Sequence, residues 1–173
     1  MIQIQKFTFN LFSENTLVLW DDESKECAIV DPGCSDSSEE KELEEFVTEN
    51  NLTVKYLINT HCHIDHILGC EFVKNKFNPI YFAPELDIPL IQNAKMQASF
   101  VGMEFSISLL PDEYLSEDKK LQLGKSELSF IFTPGHTPGE FCIYIPDIKS
   151  CTTGDVLFND GIGRTDLWGG NYD

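Results

Sequence analysis

Four metal-capable side chains fall within six residues of this chain: His61, His63, Asp65 and His66, in the run Thr60-His61-Cys62-His63-Ile64-Asp65-His66. That spacing restricts the local fold. On an extended segment residues two apart point the same way, so His61 and His63 can aim both imidazoles at one ion while Asp65 and His66 turn toward a second. Three of the chain's four histidines sit here, a concentration that isolated core or surface histidines do not produce. The flanks locate the run. Residues 54–59 read as a strand, and from 67 to 77 the apolar residues Ile67, Leu68, Phe72, Val73 and Phe77 recur at helical spacing. The run is therefore expected in a strand-to-helix loop, with Asp65 near the start of one continuous helix.

Two further donors lie at strand ends. His136 stands in the turn Thr133-Pro134-Gly135-His136-Thr137-Pro138-Gly139, where two prolines and two glycines fix the backbone and present the imidazole as a third ligand. Asp155 follows a strand at 150–153 through Gly154, where a carboxylate suits a bridging role between two divalent ions. Cys62 sits between two histidines on an extended segment, so it faces away from them and reads as a bystander, the alternative being a soft ligand.

The rest of the chain supplies a scaffold. With 173 residues and 42% hydrophobic content it can bury one substantial core, and a single domain over 1–173 is expected. Strand-like runs at 2–11, 16–20 and 28–30 form an antiparallel meander. Asp31-Pro32-Gly33 breaks it, and a helix capped within 35–38 runs to about residue 49. A short strand at 80–82 and a helix at 84–93 follow. Residues 94–117 show little periodicity and read as a lid or insertion, with Met96, Phe100, Met103 and Phe105 either packing in the core or walling a substrate site. Strands resume at 120–123, 128–133, 141–145 and 150–153. This order suits an α/β fold of two packed sheets with helices outside.

Charge narrows the partners. A net charge of −17 repels phosphate backbones, which argues against nucleic-acid partners and favours small or neutral substrates. Part of it is a solvated helix face, Ser38-Glu39-Glu40-Lys41-Glu42-Leu43-Glu44-Glu45-Phe46-Val47, with Leu43, Phe46 and Val47 turned inward. The first twelve residues alternate apolar and polar side chains and lack the continuous apolar stretch of a leader or membrane span. A soluble, cytoplasmic protein with no membrane partner is expected. Its six cysteines then read as reduced thiols, with Cys142 and Cys151 as buried small hydrophobes.

Taken together, His61-x-His63-x-Asp65-His66, His136 in its Pro-Gly-His-Thr-Pro-Gly turn, and Gly154-Asp155 resemble the metallo-β-lactamase superfamily over nearly the whole chain. The resemblance implies an αββα sandwich with metals at one edge of the two sheets. It implies that His61, His63 and His136 hold the first ion, that Asp65 and His66 hold the second, and that Asp155 bridges them. Asp31, in Val30-Asp31-Pro32-Gly33, resembles the carboxylate that stands behind the family's ligands. Two divalent ions are expected, zinc foremost, with iron or manganese as alternatives.

Within the superfamily the His136 turn and Gly163-Arg164-Thr165-Asp166 are most similar to the glyoxalase II-like branch, the hydroxyacylglutathione hydrolases. That implies a metal-dependent hydrolase cleaving a small-molecule thioester by attack of a metal-activated water, with Asp65 orienting or relaying the proton. It also implies that Arg164, nine positions after Asp155, contacts the glutathione moiety. Three departures are visible. No histidine follows His136, where the branch carries one more for the second ion; the chain stops in a turn-like end at 169–173, as though its carboxyl-terminal portion were missing; and Asp166 replaces an expected aromatic residue. Persulfide dioxygenases share both motifs and bind one iron through two histidines and an aspartate, here His61, His136 and Asp155. The remaining alternative is a metal-binding fragment without turnover.

Overall fold

The computed structural model describes residues 1–172, so Asp173, the last residue of the expected turn-like end, lies outside the described residues. The first sheet has the order β1 (Ile2–Phe9), β2 (Glu14–Asp21), β3 (Glu26–Val30), β4 (Thr53–Ile58), β5 (Ile80–Ala83), β6 (Glu113–Tyr114). Its first three strands are the antiparallel meander, and the pairings from β3 to β6 are parallel. The second sheet is antiparallel, built from β7 (Lys120–Leu123), β8 (Ser126–Phe132), β9 (Phe141–Ile145) and β10 (Ser150–Thr152). A small hairpin, β11 (Leu157–Phe158) with β12 (Gly161–Ile162), follows; the sequence reading did not anticipate it.

Side-chain alternation decides which face packs where. Val18, Cys27, Ile29, Leu57 and Tyr81 look outward to the helices, while Leu19, Ala28, Val30, Ile58 and Phe82 look inward to the second sheet. Leu121, Leu123, Leu128, Phe130, Ile143 and Ile145 meet them from that sheet. Strands β3 to β5 are thus covered on both faces, which is why their sequences are nearly continuous apolar runs. Each Val, Leu, Ile or Phe among them contributes about 1.5–3 kcal/mol on full burial. A one-residue slip would turn every one of them to the wrong layer.

The helices are α1 (Ser37–Glu49), α2 (Ile64–Ile67), α3 (Cys70–Phe77), α4 (Ile88–Gln92) and α5 (Ala94–Phe100). All place their buried apolar residues in the cluster on the outer face of the first sheet. Asp36 caps α1, accepting the Ser38 and Glu39 backbone N–H groups at 2.8 and 3.1 Å.

Four local expectations need correction. The single helix over 67–77 is two helices that begin earlier and break at Leu68-Gly69. A Cβ on Gly69 would lie 2.2 Å from Cys34 Sγ and 2.9 Å from the Pro32 carbonyl oxygen, and the Gly69 N–H donates to that carbonyl at 2.8 Å. Contact with the 32–34 loop therefore overrides the helical period. The expected helix at 84–93 is a 3₁₀ turn at Glu85–Asp87 followed by α4. The patternless stretch 94–117 contains α5, whose Phe100 is exposed while Met103 and Phe105 pack on the core. Cys142 is buried as expected, but Cys151 is exposed because β10 is an edge strand. The six cysteines are free, and no described helix is long and apolar enough to cross a membrane.

Candidate metal centre

The centre forms where both sheets end. Val30 pairs with Ile58 in the parallel register of β3 and β4, so Asp31 and the residues after β4 emerge side by side. Asp31 adopts a left-handed φ of +48°, a conformation that costs a non-glycine residue energy and is held here by its partners. Its N–H donates to the Ile58 carbonyl at 2.9 Å. Its carboxylate accepts the Thr60 N–H at 2.7 Å and the Thr60 hydroxyl at 2.6 Å. The start of the histidine run is thereby clamped to the end of β3.

Beyond the clamp His61, Cys62 and His63 alternate, as the extended spacing predicts. Cys62 turns into the apolar cluster and takes no part in either donor group, so it is a bystander. The ring of His61 lies 5.1 Å from that of His63 and 4.9 Å from that of His136, with one nitrogen from each ring within 4.8 Å of the others. His63 Nδ1 and His136 Nε2 are 2.8 Å apart. His136 Nδ1 is 2.6 Å from the Arg164 carbonyl oxygen, to which its N–H donates, leaving the Nε2 lone pair directed into the group. His61 Nε2 is buried without a hydrogen-bond partner, as a nitrogen reserved for an ion would be. Burial and the neighbouring histidines hold His61 well below the usual imidazole range, and burial with His136 pushes His63 down to about 4. Neutral imidazoles are the form that coordinates a metal.

A second group faces the first across Asp155. One oxygen of Asp155 is 3.4 Å from His136 Nε2 and the other is 3.4 Å from His66 Nε2. Asp65 Oδ2 lies 3.5 Å from the same His66 nitrogen. Behind the ring, Asp31 Oδ2 is 3.2 Å from His66 Nδ1. Asp31 with His61 and His66 also satisfies a metal-like spacing, and its oxygens accept from Thr60 and Asn59.

Three buried acids and two buried amides escaped the sequence reading. Asp87 accepts the Cys62 N–H at 3.1 Å, the Thr137 hydroxyl at 2.8 Å and the Gly139 N–H at 2.8 Å, joining the histidine run to the His136 turn. Glu140 accepts the Asp155 N–H at 2.9 Å and stands 3.6 Å from His61 Nδ1. Glu14 accepts the Thr16 hydroxyl at 2.8 Å and stands 3.9 Å from His66 Nδ1. Asn59 donates to the His66 carbonyl at 2.7 Å, and Gln97 accepts the Ile64 N–H at 3.1 Å. Glu140 had one faint signal, its place directly between the His136 turn and the apolar strand β9.

Glu14 and Glu140 make the metal-free protein sensitive to alkali. Burial raises their carboxyls to about 9 and about 8, from an ordinary 4.5. Between these limits the folded chain keeps protons that the unfolded chain has released, so stability falls as pH rises. His66 adds the same sign: burial opposes its charge, yet Asp31 and Asp155 hold it well above its usual range, and its contribution too is lost on deprotonation. His61 and His63 act in the opposite direction only below an ordinary 6.5. The Tm of metal-free protein is therefore expected to drop from pH 7 to pH 9, and Glu14→Gln to flatten the slope. A Tm that climbs over this interval contradicts the assignment.

A pocket of about 590 Å³ opens onto His63, Asp65, His136 and Asp155. Arg164 reaches its rim through an exposed side chain whose Nε and Nη2 both donate to Asp166 at 2.9 Å.

The chain belongs to the metallo-β-lactamase superfamily: the family model described as Metallo-beta-lactamase superfamily matches residues 10–173. The two-sheet architecture with its metal-like edge is that fold. Among individual proteins, hydroxyacylglutathione hydrolase GloC of Haemophilus influenzae is 34% identical over 174 residues, 99% of this chain and 80% of that protein. The mitochondrial persulfide dioxygenase ETHE1 of Bos taurus is 30% identical over 88% of this chain and 51% of its own length. The solved structure of TTHA1623 in a di-iron-bound form superposes with a TM-score of 0.83 at 26% identity, covering 96% of this chain and 79% of that one.

Proposed function

We propose that this superfamily member is a metal-dependent thioester hydrolase of hydroxyacylglutathione hydrolase type. The supporting observation is the split of Asp155: its two oxygens face two separate donor groups beside an open pocket, the arrangement a two-ion hydrolase needs. His61, His63 and His136 would hold one ion and Asp65 and His66 the other, with Asp155 shared; zinc suits the imidazole-rich set. Two such ions, when bound, supply Lewis acidity and bring the pKa of water down to about 7.

The chain's own residues do the rest. The Arg164 carbonyl fixes the His136 tautomer, and Asp31 and Asn59 fix His66. Asp65, whose carboxyl burial raises, borders the pocket, and its carboxylate would accept the proton released as water adds to the thioester carbon. The same proton then neutralises the departing thiolate. Kinship to GloC, whose name states this activity, supports the reading. The test is hydrolysis of a thioester panel, including lactoylglutathione, by zinc-loaded protein without oxygen; no turnover on any member rejects it.

A second reading, iron-dependent persulfide oxidation, is favoured by the persulfide dioxygenase relative and by the closeness of His61, His136 and Asp155. It requires Fe(II) and consumes oxygen, which the anaerobic assay excludes. Occupancy is expected to be unequal. Three neutral imidazoles plus Asp155 outbind a group with one imidazole and two carboxylates for zinc, so calorimetric titration of metal-free protein should show one tight and one weak event. Two equally tight events would require a further donor.

A further inference from the structure

Glu140 has no part in the chemistry described above, yet its carboxyl reaches donors from both halves of the centre. The side chain is fully buried. Backbone bonds on both sides fix where it points: the Glu140 carbonyl accepts the Thr133 N–H at 2.9 Å, and Phe141, the next residue, donates its N–H to the Thr60 carbonyl at 2.9 Å. From that position Oε1 accepts the Asp155 N–H at 2.9 Å and lies 3.6 Å from His61 Nδ1. One oxygen thus stands between a donor that follows the first sheet and the shared carboxylate that follows the second.

Gly154 makes room for this oxygen. Its φ is +48°, and a Cβ there would fall 2.6 Å from Thr60 Oγ1 and 2.9 Å from Glu140 Oε1, so the turn that delivers Asp155 is seated directly on these two side chains. The same two surround His61 Nδ1. Thr60 has one hydroxyl proton and gives it to Asp31 Oδ2 at 2.6 Å, so toward Nδ1, 3.2 Å away, it can only accept. With Thr60 Oγ1 as the nearer acceptor and Glu140 Oε1 behind it, the ring proton sits on Nδ1 and the lone pair on Nε2, the buried nitrogen without a hydrogen-bond partner. Contacts of this kind are often long until the ligand is in place.

We infer that Glu140 is a positioning residue of the metal centre: through one accepting oxygen it anchors the backbone of Asp155 and backs the ring of His61, and so sets the first donor group against the shared carboxylate. It touches neither ion nor substrate and acts through these two ligands. The inference rests on the metal-binding part of the proposed function and on none of its substrate chemistry.

The experiment measures zinc affinity by competition with a chromophoric chelator, in variants that circular dichroism shows to be folded. Glu140→Ala removes the oxygen and should weaken the tight zinc event by about ten-fold or more. Glu140→Gln still offers an accepting oxygen to the Asp155 N–H and should restore most of that affinity. Glu140→Asp keeps the carboxylate but withdraws it by one methylene, and should weaken zinc several-fold; it decides the matter if Glu140→Ala does not fold. Cobalt(II) loaded in place of zinc has visible absorption bands that follow ligand geometry, and these should shift in Glu140→Ala and Glu140→Asp and return in Glu140→Gln. A purely structural residue would lower the unfolding midpoint of the metal-free protein and leave zinc affinity and the cobalt bands unmoved. Zinc bound by Glu140→Ala or Glu140→Asp as tightly as by the unaltered protein overturns the inference. If that happens while thioesters are still hydrolysed, the hydrolase reading stands without this role for Glu140. If zinc affinity falls as stated and no thioester turns over in the unaltered protein, the role stands and the hydrolase reading fails. Absence of zinc binding by the unaltered protein overturns both.

Discussion

Replacing His61 with alanine is expected to strip the protein of tightly bound metal while leaving it folded. His61 is the donor nearest the middle of the centre: its ring is 4.0 Å from that of His66, 4.9 Å from that of His136 and 5.1 Å from that of His63. Its Nε2 is buried and makes no protein hydrogen bond, so deleting the ring removes a donor without orphaning a partner there. The first group then falls to two imidazoles and a shared carboxylate. Losing a supporting contact alone costs about 10–100-fold in metal affinity, and losing a ligand should exceed that. Elemental analysis and calorimetry read the loss, and circular dichroism verifies the fold. Unchanged metal content in His61→Ala would remove this residue from the centre.

Asp87→Ala should damage the fold itself. The Asp87 side chain is fully buried and accepts three hydrogen bonds, from the Cys62 and Gly139 N–H groups and the Thr137 hydroxyl. Alanine would leave three buried donors without their acceptor, at about 1–3 kcal/mol each. Summed, that is a large part of a typical domain stability of about 5–15 kcal/mol. Local packing prevents an easy rescue. A Cβ on Gly139 would fall 2.7 Å from Pro84 Cβ and 2.8 Å from Asp87 Oδ1, so the turn is already pressed against this carboxylate. Urea unfolding should show a loss of several kcal/mol, with Asp87→Asn losing less because its amide oxygen still accepts. A midpoint within experimental error of the unaltered protein would show that the bonds are dispensable.

The two residues illustrate what a sequence can disclose. His61, His63, Asp65 and His66 were visible because their spacing is local, and extended backbone converts spacing directly into direction. The strands were visible because both-face burial writes itself as apolar runs, and the meander and the four strands of the second sheet lie within a few residues of where those runs place them. Asp87 offered no such sign, since its burial depends on Cys62, Thr137 and Gly139 arriving from distant segments. Gly69 likewise ends α2 because Pro32 and Cys34 press on it, a contact no periodicity encodes. The helix α5 was hidden because its first turn has no acidic residue, its last no basic one, and no side chain caps it. For Arg164 the sequence reading gave a contact to the glutathione moiety and did not foresee the pair its guanidinium makes with Asp166, two residues on.

The donors come from opposite halves of the molecule. His61, His63, Asp65 and His66 follow β4 in the first sheet, whereas His136 and Asp155 follow β8 and β10 in the second. At that edge the Phe141 N–H donates to the Thr60 carbonyl at 2.9 Å, a backbone bond between the two halves. On the proposed reading, a cation held from both sides would tie the halves together, adding RT ln(1 + [L]/Kd) to stability at a given free concentration. Cooperativity of unfolding would then depend on the surrounding metal supply, and amide exchange in both sheets is expected to slow as metal is added.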